Sequence, residues 1–380
     1  MSGFTAAAAV ALTVAAVVVY AGVARRADSG ADAVHILNGR NVEWPCAAAE
    51  NVHVAGNVIG TRAQVWGDRA FVLTPRFRPG VPFTVSAVRL GCGGADRCWP
   101  ALVPYPRWST HVEGDPDAVQ NAVDMHLDPT GVLWLLDSGL VNTMERPVRR
   151  ARPRIFAVDV KTDEVVKRID LSGLACPASR LGYIAADYGD DGRAFVYVSD
   201  AATRAVIVWD VAADCGYRAV LPEAVARDRT GPGDAMYVAL ARPSTGKNVL
   251  YLTYLTSDRM YAIDTRHLRR ERQRGNVTVV GRKPDNVVLL GTDGRTTLYF
   301  RYGGRGDVYA WDTDRGGFGP DRFALVRKSD GRGRLATQVA PGHRGGVPWL
   351  LESNFPDYVS GTVGCLGADV RLQPLVEQRR

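Results

Sequence analysis

"LDPTGVLWLLDSGLVNT", residues 127–143, is the stretch that decides the fold. An apolar run, Val132 to Leu136, lies between the turn Asp128-Pro129-Thr130-Gly131 and the polar group Asp137-Ser138-Gly139. A run this short, bounded by turn formers, reads as a β-strand. It is apolar at consecutive positions, so protein must cover both of its faces. A carboxylate at the end of such a strand has two readings: a turn cap, or a member of a site.

The pattern recurs. "NAVDMHLDPTGVLWLLDSG" (121–139) is followed by "RIFAVDVKTDEVVKRIDL" (154–171). "GYIAADYGDDGRAFVYVSD" (182–200) precedes "AVIVWDVAADCGYRAVL" (205–221). Two further copies span 234–281 and 286–327, and weaker ones lie at 61–90 and 336–354. The turn glycines Gly67, Gly131, Gly192, Gly246, Gly294 and Gly346 are spaced by 64, 61, 54, 48 and 52 residues. Four short strands per copy at this period read as a propeller blade. Six copies predict an all-β, six-bladed β-propeller with four-stranded blades around a central channel. No long amphipathic helical pattern separates the copies, which argues against parallel βαβ units.

In a blade, the start of the inner strand and the end of the second strand lie at one end of the channel. That mouth is predicted to gather Gln64, Asn121, Asp124, Asp137, Asp187, Asp234, Asn286, Gln338 and Asn354. Tyr183 and Phe355 add aromatic faces.

The chain has 380 residues, of which 46% are hydrophobic, ample for a large core. Phe4 to Ala24 is apolar and uncharged, and Arg25-Arg26 follow, so residues 1–24 read as a secretory signal peptide, with an uncleaved membrane anchor as the rival because about 20 apolar residues can span a bilayer. The expected organisation is then a flexible segment over 25–40, the propeller over 41–370 and a tail over 371–380. The mature chain is expected to be secreted, without stable membrane insertion after signal cleavage. Asn276-Val277-Thr278 is a glycosylation sequon, to be used only on the secretory route. The six cysteines, none in a C-x-x-C pair, fit disulfides in an oxidising compartment rather than a zinc site.

The net charge of +7 is carried almost wholly by arginine. The runs "RPVRRARPR" (146–154) and "RHLRRERQR" (266–274) read as solvated loops. No aromatic residues interleave with them, so nucleic acid is not a predicted partner. The oligomeric state is not set by the sequence.

Several of these segments together resemble the yellow / major royal jelly protein family of secreted arthropod proteins. They are "VWGDRAFVLTPRFRPGVPFTV" (65–85), "PALVPYPRW" (100–108), "GVLWLLDSGLVN" (131–142), "IFAVDVKTDEVVKRIDL" (155–171) and "DDGRAFVYVSDAATRAVIVWDV" (190–211). From about Gly231 the likeness is one of outline. Family members carry a Cys in the turn before the Leu-Trp strand and another before the "IFAVD" strand, and this chain has neither. A second family pair, before "AFVY" and beside the Trp of blade five, is also missing. Beside that resemblance, the cysteines present suggest Cys92 with Cys98, Cys176 with Cys215, and Cys46 with Cys365 joining the chain ends. Six cysteines allow 15 connectivities, so these stand as expectations.

The resemblance implies melanin or cuticle pigmentation, with a small amine or catechol held at the channel by Asn121, Asp137, Tyr183, Asp187, Asp234, Asn286, Gln338 and Asn354. A dopachrome-converting isomerase is the alternative. It would need an acid and a base at the channel, and Asp124 and His126, two apart on one strand face, are the candidates. A packed strand histidine is the plainer account of His126. Neither H-E-x-x-H nor G-x-S-x-G occurs. Six-bladed calcium lactonases hold their ion with Glu, Asn and Asp. Asn121, Asp234 and Asn286 offer oxygens, but no Glu precedes the first inner strand, so no metal or cofactor is assigned. A protein-binding scaffold is the remaining reading.

Overall fold

The computed structural model describes residues 33–45, 52–226, 234–270, 277–364 and 367–376. The signal segment, Cys46, Cys365 and Asn276 lie outside the described residues.

The strand that opened the reading shows why the chain folds as it does. Val132–Asp137 pairs with Ala122–Leu127 on one side and Arg154–Asp159 on the other. Its side chains alternate between two neighbours. Leu133 and Leu135 pack with Phe71 and Leu73 of the preceding blade. Trp134 and Leu136 pack with Ile184, Val196 and Val198 of the following blade. A continuous apolar run is therefore what a strand between two blades requires.

Six sheets repeat this arrangement, five of them four-stranded. Their innermost strands are Arg62–Trp66, Ala122–Leu127, Leu181–Tyr188, Met236–Ala241, Val288–Thr292 and Leu335–Ala340. Each touches the next, and the last touches the first, which closes a ring. The fold is a six-bladed β-propeller, as the repeat predicts.

The hairpin turn of blade two is fixed by Asp128. Its Oδ1 accepts the amides of Thr130 and Val132 at 2.8 and 3.1 Å. Its Oδ2 accepts the Trp134 indole at 2.9 Å and the Tyr188 hydroxyl of blade three at 2.7 Å. Gly131 has φ +94°, and a Cβ there would lie 3.0 Å from Lys161 Cε and 3.1 Å from the Trp66 ring. Both conformation and space require glycine.

Blade six corrects the expected boundaries. Its sheet runs from Leu335–Ala340 through Trp349–Ser353 to Val370–Pro374 and is continued by Val34–Leu37. His35 lies opposite Leu372. The 25–40 segment thus supplies a blade strand, and the propeller extends through Pro374 into the expected tail. Arg97–Cys98 adds a fifth, parallel strand. The Cys92–Cys98 disulfide closes the loop that carries it.

Cys176 and Cys215 do not pair; both are free, exposed thiols. Cys215 lies opposite Asp210 at one end of blade three. Cys176 is tied through Ser179 to Asp200, which pairs with Ala205 at the other end. Five strand residues, about 16 Å, separate the two ends. That is more than twice the reach of a disulfide.

Candidate functional site at the channel mouth

The carboxylate of the opening stretch is a strand tie. Asp137 accepts the amides of Gln120 and Asn121, which lead into the inner strand, at 2.9 and 2.8 Å. It also accepts Gly139 N–H at 2.9 Å. The side chain is fully buried, and burial raises its pKa against the pull of these donors. Asp200 repeats the device in blade three, accepting Arg180 N–H at 2.9 Å and the Ser179 hydroxyl at 2.6 Å. Both carboxylates hold the end of a second strand to the start of an inner strand, so neither is available to a ligand.

The channel itself is narrow. Its cavity is about 80 Å³ and takes wall residues from all six blades. Sites for drug-sized ligands are several times larger, roughly 300–1,000 Å³. Asp124 and His126 both line this cavity. Asp124 forms an ion pair with Arg62 at 3.0 Å and accepts Ile184 N–H at 2.8 Å, linking blades one, two and three. Burial raises its pKa against the pull of Arg62. Burial also pushes His126 down to about 4, so the imidazole is neutral at pH 7. Its Nε2 has no hydrogen-bond partner. The space beside the pair, about 80 Å³, is too small for a bicyclic substrate.

At the end where the inner strands begin, the channel opens into a pocket of about 240 Å³. Four aromatic residues form its walls: Phe77, Tyr183, Tyr237 and Phe355. The Tyr183 and Tyr237 ring centroids are 5.0 Å apart, and those of Phe77 and Phe355 are 6.2 Å apart. Two guanidiniums, Arg62 and Arg301, also line it, and no carboxylate does. Arg62 lies over the Tyr183 ring at 5.4 Å. Burial lowers the Arg62 pKa, but Asp124 more than restores it. Arg301 donates Nε to Ala336 O at 2.9 Å. It forms no ion pair among the described residues.

The profile of the family described as "Major royal jelly protein" matches residues 120–372. The chain belongs to that family. Protein yellow of Drosophila melanogaster is 29% identical over 248 residues, covering 59% of this chain and 44% of the fly protein. Protein yellow of Drosophila subobscura is 29% identical over 247 residues, covering 59% and 42%. The match thus spans less than half the length of these relatives. Among solved structures, virginiamycin B lyase from Staphylococcus aureus aligns at TM-score 0.44 and 14% identity, over 78% of this chain and 77% of the lyase. The Cps50 (Swd1) propeller of Myceliophteria thermophila aligns at TM-score 0.43 and 10% identity, over 85% and 99%.

Within this family propeller, the predicted site residues scatter. Tyr183 and Phe355 line the mouth pocket, and Gln338 lines the narrow channel. Gln338 accepts Ala63 N–H, which ties blade six to blade one. Asn121 is buried, its amide bonded to Arg76 N at 2.7 Å and to Leu140 O at 2.5 Å. Asp187 lies near the far end of its inner strand, where Asn248 donates at 2.6 Å and Arg269 forms an ion pair. Asp234 accepts the Thr256 hydroxyl. Asn286 is an exposed residue at φ +50°. Asn354 accepts Asp369 N–H at 2.8 Å. Neither Asn121, Asp234 nor Asn286 lines the channel cavity, so the three do not form a calcium cradle there. Among the described residues, one His/Cys/Asp/Glu group has metal-ligand spacing: His35, Cys92 and Cys98. The disulfide takes up both sulfurs. No helix among the described residues is long and apolar enough to cross a membrane.

The sequence reading missed Arg62, Arg301, Phe77 and Tyr237. Tyr237 was within reach, because it stands near the start of its inner strand much as Tyr183 does in blade three. Phe77 follows a second strand at irregular spacing, and no periodic signal marks it.

Proposed function

We propose that this chain is a secreted yellow-type propeller of extracellular pigmentation chemistry, and that the channel mouth holds a small catechol. Family membership supports the pigmentation setting. The observation that carries the ligand reading is the mouth pocket, where four aromatic walls face guanidiniums with no carboxylate among the lining residues. Aromatic walls suit a flat ring. The expected preference for a cationic amine does not suit this lining, because Asp137 and Asp187 are spent on backbone and arginine partners. A catechol bearing a carboxylate suits it better, since Arg301 offers an uncompensated charge.

The test is calorimetric titration of the purified chain with 3,4-dihydroxyphenylpropionic acid and with dopamine. The acid is expected to bind at least tenfold more tightly, a difference of about 1.4 kcal/mol, and Arg301→Gln to remove most of the difference. Equal or tighter binding of dopamine would overturn the reading. A dopachrome decay assay on the same sample, with Asp124→Asn, checks the isomerase alternative. The tightness of the channel predicts no acceleration that depends on Asp124.

A further inference from the structure

A second cavity, about 500 Å³, lies between blades two and three. It borders the Asp200 tie through Ser179 and Arg180 and touches the mouth pocket only through Val123. One wall is a short ribbon that pairs Leu140–Val141 with Val148–Arg149, an outgrowth of blade two in which Arg149 lies opposite Leu140. The other wall is the connection from Ser172 to Arg180 that leads into blade three. Val123, Leu140, Pro153 and Leu181 give it apolar surface.

The charge on this apolar surface has one sign. Arg149, Arg152 and Arg180 line the cleft, and no Asp or Glu does. Arg152 is compensated by Asp170 at 3.5 Å. Arg149 donates only to the carbonyls of Ser138 and Ala151, and Arg180 to that of Asp234. Neither forms an ion pair among the described residues. The contacts of both guanidiniums are to backbone carbonyls, and neither is paired with a described carboxylate. Part of the arginine run at 146–154, exposed as the solvated-loop reading expects, thus also borders this cleft.

We infer that the cleft between blades two and three is a second small-molecule site, for an amphipathic anion with a flat apolar body and one carboxylate or sulfonate. The volume lies within the usual range for small-molecule sites. The apolar walls take the body, and Arg149 and Arg180 take the head. A cationic or neutral ligand of the same shape gains only the first of these.

The site carries its own reporter. Cys176 is a free, exposed thiol on the wall of the cleft. Backbone N–H groups of Ala178 and Ser179 beside the sulfur lower its pKa, which favours alkylation. Cys215, also free and exposed, lies at the other end of the same blade and serves as the internal control.

The experiment measures iodoacetamide labelling of each cysteine in the intact protein by peptide mass mapping. The probes are 2-naphthoate, 2-naphthol and 2-naphthylmethylamine. Naphthoate is expected to slow labelling of Cys176 at least fivefold at saturation without changing Cys215. Naphthol and the amine should slow it less than twofold. Arg149→Gln, on an exposed side chain, should raise the half-protecting naphthoate concentration about fivefold, the worth of one partly exposed charge contact. Arg301→Gln at the mouth should leave it unchanged, so this inference and the catechol reading fail separately. Equal protection by all three probes, or none up to millimolar naphthoate, would overturn the proposal. So would naphthoate protection that Arg301→Gln abolishes and Arg149→Gln does not.

Discussion

The Asp128 carboxylate accepts the Tyr188 hydroxyl across the boundary between blades two and three, at 2.7 Å. The same oxygen holds the Trp134 indole, so one side chain fixes a hairpin turn, a core aromatic and the next blade. Tyr188→Phe removes one charge-assisted bond and should cost about 1–2 kcal/mol. Asp128→Ala also leaves the buried indole N–H without a partner and should cost about 1–3 kcal/mol more. Urea unfolding of the two variants checks the order; equal losses would show that the indole bond contributes nothing, and no loss in Tyr188→Phe that the carboxylate does not bridge the blades.

The acid limb of stability should have two origins. Burial pushes His126 down to about 4 and His111 to about 3, against about 6.5 in an unfolded chain. The unfolded state takes up these protons first, so stability is full above pH 6.5 and falls as pH drops toward 4. Burial raises Asp128, but bonds from Trp134, Thr130, Tyr188 and Val132 outweigh it and hold its pKa below the ordinary value. Its contribution is full above about pH 4 and is lost as pH falls through the folded value. In urea midpoints measured against pH, His126→Gln should flatten the upper segment and Asp128→Asn the lower one.

The blades were legible because each second strand must satisfy two neighbours at once. Leu133 with Leu135, and Trp134 with Leu136, write that demand into consecutive positions. The site was less legible because one residue type serves two purposes. An aspartate at a strand end looks the same whether it ties two strands, as Asp137 does, or faces a ligand. The residues that do line the mouth include Arg62 and Arg301, ordinary strand-end arginines by pattern. Their role depends on where the ring brings them, and only the closed ring shows it.

The Arg62–Asp124 pair stitches blade one to blade two with side chains 17% and 7% exposed. Removing one partner strands a buried charge. Arg62→Met or Asp124→Leu alone should therefore cost about 3–5 kcal/mol, whereas the two together should cost clearly less, because neither charge remains. A double-mutant cycle by chemical unfolding measures the coupling. If the double variant loses the sum of the single losses, the pair is not the stitch that holds the two blades.

The segment ahead of blade one closes the ring, and its energetics should match that position. Leu37 is 2% exposed and belongs to one apolar cluster with Ile59 and Val72 and with Leu351 and Leu372. It thereby joins the first blade to the last strands of the sixth. Leu37→Ala opens a cavity at that junction and should cost about 2–5 kcal/mol, the range for a buried leucine. A flexible leader at residues 25–40 predicts a change within about 0.5 kcal/mol, as for an exposed site. Urea unfolding separates the two outcomes. Limited proteolysis adds a direct view, since loss of the closing strand should expose the Val370–Pro374 edge and bring cleavage there before the rest of the propeller opens.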